Sequence, residues 1–180
     1  MRLLIIFLFL GACGAVNLST LAQLSRLSPL TANPDGFVAA IVLPAELDIP
    51  ASGATLGFTW VSETETLGGN YALQRHGTFE GHSIALRPGQ QVLFFDLAPE
   101  DAAAIRKTQQ EIIARKDRGI DGRGSFSVFA TPCANGTAAA PLISTYLRIE
   151  EGGAFLPLVQ GFDIRQEMAE GQLFEVPRCG

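Results

Sequence analysis

The sequence predicts a mainly β domain, a sandwich of about seven to nine strands with one inserted α-helix near residues 99–118. Three observations carry that expectation. Short apolar runs, several of them alternating with polar residues, recur between turn-forming segments, and 19 glycines and 10 prolines in 180 residues supply the turns. Only one stretch behind the first 30 residues has both the length and the end signals of a long helix. Charged residues are sparse, at 17%, which suits strands buried on one or both faces more than long solvated helices.

The elements follow in order. GFVAAIVLP is a compact apolar run ended by Pro44, the length of one strand, and ELDIPASG behind it reads as turn material. ATLGFTWVS alternates, setting Leu56, Phe58 and Trp60 on one face and Thr55, Gly57 and Thr59 on the other. Two weaker strands are expected at about 70–79 and 82–87, then a strong one in QVLFFDLAP. At the helix start Pro99 wastes no hydrogen bond, and Glu100 and Asp101 face the positive end of the helix dipole. Ile105, Gln109, Ile112 and Ile113 form its narrow stripe, Arg115, Lys116 and Arg118 crowd its last turn, and Gly119 stops it. GSFSVFATPC sets Phe126 and Val128 against Ser127 and Phe129. ISTYLRIEE turns Ile143, Thr145, Leu147 and Ile149 inward, and AFLPLVQGFDI adds one or two strands before a tail that ends at Cys179. The rhythm of early strands separated by short Pro/Gly loops resembles that of immunoglobulin-like sandwiches, although the cysteine pair does not follow the antibody-domain pattern.

The N-terminus has a different character. Arg2 and the amino terminus precede an apolar run from Leu3 to Leu10, and small residues lead to Cys13. The run is less than half of the ~20 apolar residues that a spanning helix requires, and its layout is that of a secretory signal. Leu10-Gly11-Ala12-Cys13 resembles the lipobox of bacterial lipoproteins. That resemblance implies diacylation of Cys13, cleavage before it and N-acylation of the new terminus. Several acyl chains together anchor a protein stably without any transmembrane helix. A plain signal peptide cleaved near Ala12 or Ala15 is the alternative reading of the same residues. In this division residues 1–12 are the signal, 13–34 a lipidated tether with a short helix over its leucine-rich part, and 35–180 a single domain. Gly14, rather than aspartate, after the cysteine leans toward the outer membrane over the inner.

With Cys13 lipidated, Cys133 and Cys179 are left as a pair, which in an oxidising periplasm reads as one disulfide tying the C-terminus to the middle of the chain. The net charge of −5 excludes any broad attraction for nucleic acid.

Chemistry is thinly marked. His76, Glu80 and His82 are evenly spaced and would share one face of an unbroken strand, a weak metal site, although Gly77 and Gly81 interrupt that strand. A Ser–His–Asp set can be drawn from Ser83, either histidine and Asp96, and Glu63, Glu65 and Glu80 are loose carboxylate candidates, but no nucleophile motif or phosphate loop is present. Arg106, Lys107, Arg115, Lys116, Arg118 and Arg123 form a basic stretch, read first as a solvated helix face and second as a docking face. No cofactor is expected. The sequence reading is a membrane-anchored periplasmic lipoprotein, a non-enzymatic accessory, assembly or binding module acting with another envelope protein. A periplasmic hydrolase or metal-dependent enzyme built on His76, Glu80 and His82 is the alternative.

Overall fold

A computed structural model describes residues 29–79, 82–136, 142–167 and 176–180. Cys13, the signal and most of the tether lie outside the described residues, as does Glu80. The strands are β1 (Val38–Pro44), β2 (Leu47–Asp48), β3 (Ala54–Ser62), β4 (Thr66–His76), β5 (Gln90–Leu97), β6 (Gly122–Ala130), β7 (Cys133–Ala134), β8 (Leu142–Arg148) and β9 (Leu156–Asp163), and α1 (Pro99–Lys116) lies between β5 and β6. The fold is mainly β and sandwich-like, with one long helix at the predicted place.

Seven strands make one antiparallel sheet in the order β6-β3-β4-β5-β1-β8-β9, and β2 pairs with β7 in a small second ribbon. The sheet curls until β6, at one edge, touches β8 beside the other. Its concave face carries the main core: Leu56, Phe58 and Trp60 from β3, Tyr71 and Leu73 from β4, Phe95 from β5 and Leu147 from β8. Opposite them lie Leu47 of the ribbon, Ile49 just beyond it, and Ile105 and Ile112 of α1. β1 runs mid-sheet and is buried on both faces, which explains why its sequence is a continuous apolar run and not an alternation. Ala39, Ile41 and Leu43 enter the main core, and Val38, Ala40 and Val42 enter a second one on the convex face.

The ends of α1 follow the predicted chemistry. Gly119 adopts φ +77, its N–H donates to the Lys116 carbonyl at 2.9 Å, and Ile120 N–H donates to the Arg115 carbonyl at 3.0 Å, which is the paired bonding of a Schellman motif. Leu30, Ala32 and Pro34 pack against the body of the domain, so the last part of the predicted tether is docked onto it.

Three expectations change. Residues 82–87 are not a strand, because β4 and β5 already pair directly from Leu73↔Leu97 to His76↔Phe94, and residues 77–79 and 82–87 are irregular. The turn material ELDIPASG contains β2, too short to show a period. β4 starts at Thr66, ahead of the expected 70, masked in sequence by Gly68 and Gly69. Gly68 has φ +91, and a Cβ there would stand 2.1 Å from the Phe58 carbonyl oxygen, so only glycine fits the strand at that point.

The expected bridge between Cys133 and Cys179 is formed, with Cα atoms 4.9 Å apart. The tail lies along β7, where Ala134 N–H donates to the Pro177 carbonyl at 2.8 Å and Cys179 N–H to the Ala134 carbonyl at 3.1 Å.

Candidate functional site

The convex face of β5, β1 and β8 is the part of the molecule where polar chemistry and burial meet. Strand alternation turns Phe94, Val38, Ala40, Val42, Tyr146 and Arg148 outward, and Phe79 and Ile84, from between β4 and β5, and Phe155, from the β8–β9 loop, close over them. Phe94 is the hub of this layer. Its ring centroid lies 5.5 Å from Phe79, 5.7 Å from Phe155 and 5.1 Å from the His82 imidazole.

Arg148 ends β8 inside this aromatic layer and is only 8% exposed. Its guanidinium carbon stands 4.4 Å from the centroid of Phe79 and 5.8 Å from that of Phe155, a cation–π arrangement. Among the described residues the side chain makes no hydrogen bond or ion pair, and its Nε is sealed from solvent without a partner. Burial pushes the guanidinium below its ordinary value, and the Glu151 carboxylate partly offsets the effect. An arginine stays protonated at neutral pH under such a shift, so the layer holds a buried positive charge. The Nδ1 of His82 is likewise sealed, with no partner among the described residues. Phe79, His82, Ser83, Arg148, Phe155 and the Gly152–Ala154 backbone line one half-open cleft of about 170 Å³.

The predicted site residues are separated by this arrangement. His76 lies at the end of β4 and donates through Nδ1 to the Asp96 carboxylate of β5 at 2.7 Å, a cross-strand pair about two-fifths exposed that pins the end of β4. His82 and Ser83 line the cleft instead, so the Ser–His–Asp idea resolves into one His–Asp pair and one histidine near a serine. Glu80 lies outside the described residues, and among the described residues no group of three His, Cys, Asp or Glu side chains is placed to hold a metal ion. Glu65 is held by Arg115, whose Nε and Nη2 donate to its two oxygens at 3.1 and 3.2 Å, and this contact keeps its carboxyl below the usual range. Glu63 is exposed in the β3–β4 turn.

The basic stretch divides in the same way. Arg106 pairs with Asp35 at 2.9 Å and Arg115 with Glu65, while Lys107, Lys116, Arg118 and Arg123 are exposed. Arg148, Phe79 and Phe155 were not singled out by sequence. The available signal was an arginine between two inward residues, Leu147 and Ile149, in an otherwise apolar strand. No described helix is long and apolar enough to cross a membrane. Comparison of the chain with protein-family models, curated proteins and solved structures finds no match.

Proposed function

We propose that this chain is a bacterial envelope lipoprotein, held through acylated Cys13 on the periplasmic face of a membrane, the outer membrane by preference. There it works as a non-enzymatic accessory, assembly or binding module for another envelope protein. The observation that supports this most is the Cys133–Cys179 bond, because structural disulfides persist in oxidising compartments and the N-terminal residues have the layout of an export signal with a lipobox.

The docking element in this reading is β6. All nine of its residues hold regular register with β3, and among the described residues no strand pairs with its other edge. The opposite edge, β9, is interrupted by register shifts and carries Pro157, features that blunt edge pairing. A regular edge without a described hydrogen-bonded partner accepts an added strand through main-chain hydrogen bonds, and Phe129, 56% exposed on β6, offers an apolar contact beside it.

Photo-crosslinking in cells tests the proposal, with the crosslinker placed at Ser127 on β6 and at Lys107 on α1. A stoichiometric envelope partner captured from Ser127 supports the accessory role; capture of nothing reproducible from either position across growth conditions contradicts it. The His76–Asp96 pair keeps a hydrolase as the second reading. Stoichiometric metal, or turnover abolished by His76→Ala, would favour that reading.

A further inference from the structure

We infer that the cleft beside Arg148 is a binding site for a small monocarboxylate with an apolar or aromatic body. It goes beyond the docking role and depends on neither the anchor nor the β6 edge.

The charge of the cleft selects the sign of the ligand. Arg148 lines the cleft, is 8% exposed and leaves its donors unused among the described residues, and the His82 ring lines the same space. Buried polar groups in native proteins are overwhelmingly paired, so a nearly buried guanidinium on the wall of a cleft favours an acceptor there. A metal ion is disfavoured beside a buried guanidinium, whereas an anion gains a charge-assisted hydrogen bond that water screens poorly.

The shape and surroundings select the class. The Phe79 ring lies 4.4 Å and the Phe155 ring 5.8 Å from the guanidinium carbon, and a flat carboxylate pairs with the planar edge of a guanidinium. Glu151 acts on the same guanidinium, so a dianion such as phosphate meets a repulsive neighbour that a single negative charge tolerates better. The space of about 170 Å³ is close to the ~150 Å³ that accommodates a benzene ring, and Phe79 and Phe155 in its walls offer contacts to an apolar body.

The test is calorimetric titration of the full-length protein in a neutral detergent with benzoate, with benzamide and inorganic phosphate as comparators, repeated on Arg148→Met. Methionine keeps an unbranched apolar stem beside the rings and removes the charge. Expected is saturable one-to-one benzoate binding, with benzamide and phosphate at least about tenfold weaker and benzoate affinity lowered at least about tenfold in Arg148→Met. The melting temperature of the variant is expected to hold or rise, since an unpaired buried charge is lost. Absence of saturable benzoate binding, equal binding of benzamide, tighter binding of phosphate, or unchanged benzoate affinity in Arg148→Met would each overturn the inference. Should Arg148→Met fail to fold, the benzoate–benzamide comparison on the native chain decides by itself. Loss of this site leaves Cys13 acylation and β6 crosslinking unaffected, so the two proposals fail separately.

Discussion

Gln109 sits where an apolar residue would complete the buried stripe of α1, and its amide donates to the Pro29 carbonyl at 2.7 Å and the Ala32 carbonyl at 2.9 Å. It is 4% exposed, so these two bonds are made out of water and fasten the chain leading into β1 onto the helix. Gln109→Leu keeps the volume and strands both carbonyls. The expected loss is about 1–3 kcal/mol, read from the urea midpoint, and an unshifted midpoint would contradict the anchoring role. Arg75 does related work at the ribbon, donating to the Asp48 carboxylate at 2.6 Å and the Ile49 carbonyl at 3.1 Å. The hydrogen bond from Arg75 holds the Asp48 carboxyl below its ordinary value against a smaller opposing effect of burial. A carboxylate lowered on folding stabilises above its unfolded value, near 3.8, and that stabilisation disappears as pH falls through the lower folded value. Both partners are 38% exposed, so the pair contributes about 0–1 kcal/mol. Asp48→Asn should therefore narrow the gap between melting temperatures at pH 7 and in acid; an unchanged gap would remove Asp48 from the acid response. At this scale the sequence was only partly legible. The position of Gln109 on the stripe follows from helical periodicity, but the acceptors of its amide come from a segment about eighty residues away in the chain.

Elements were legible in proportion to their length and to how local their determinants are. α1 announces itself through Pro99, Glu100, Asp101 and Gly119, each acting within one turn of a helix end, and β3 through strict alternation over nine residues. Residues 77–79 and 82–87 look like strands in sequence because Phe79 and Ile84 resemble strand residues, while in the structure they make apolar contacts on the convex face. The candidate site inherits that difficulty. Two of its walls come from irregular segments and the third, Arg148, looks in isolation like an ordinary charged residue at the end of β8. Paired glycines hide the start of β4 in the sequence, yet Gly68 fits a point of that strand where a side chain does not. Gly68→Ala forces both a left-handed backbone and a contact with the Phe58 carbonyl, so a loss of about 1–3 kcal/mol is expected from thermal unfolding. A fully stable variant would mean that β3 and β4 can shift apart at no cost.

At the scale of the whole molecule, one curled sheet, a two-stranded ribbon, one long helix and one covalent clasp account for the described structure. The clasp closes a separation of 46 residues and fixes the C-terminal tail beside β7. Cys133→Ser should cost about 2–5 kcal/mol in the oxidised protein, and thermal curves that coincide with those of the native chain would show the bond to be dispensable. Mainly β architecture, the one helix and the cysteine pairing were all legible, because hydrophobic period, helix-end chemistry and cysteine count are properties of the chain itself. The curl of the sheet was not, since it depends on which distant strands become neighbours. The central claim concerns where the molecule is held, and the most direct measurement is metabolic labelling of cells with an alkyne fatty acid followed by membrane fractionation of the native chain and Cys13→Ser. The account predicts acyl label and membrane retention for the native chain and loss of both in the variant. A native chain without label, or a Cys13→Ser chain that keeps its label, would contradict it.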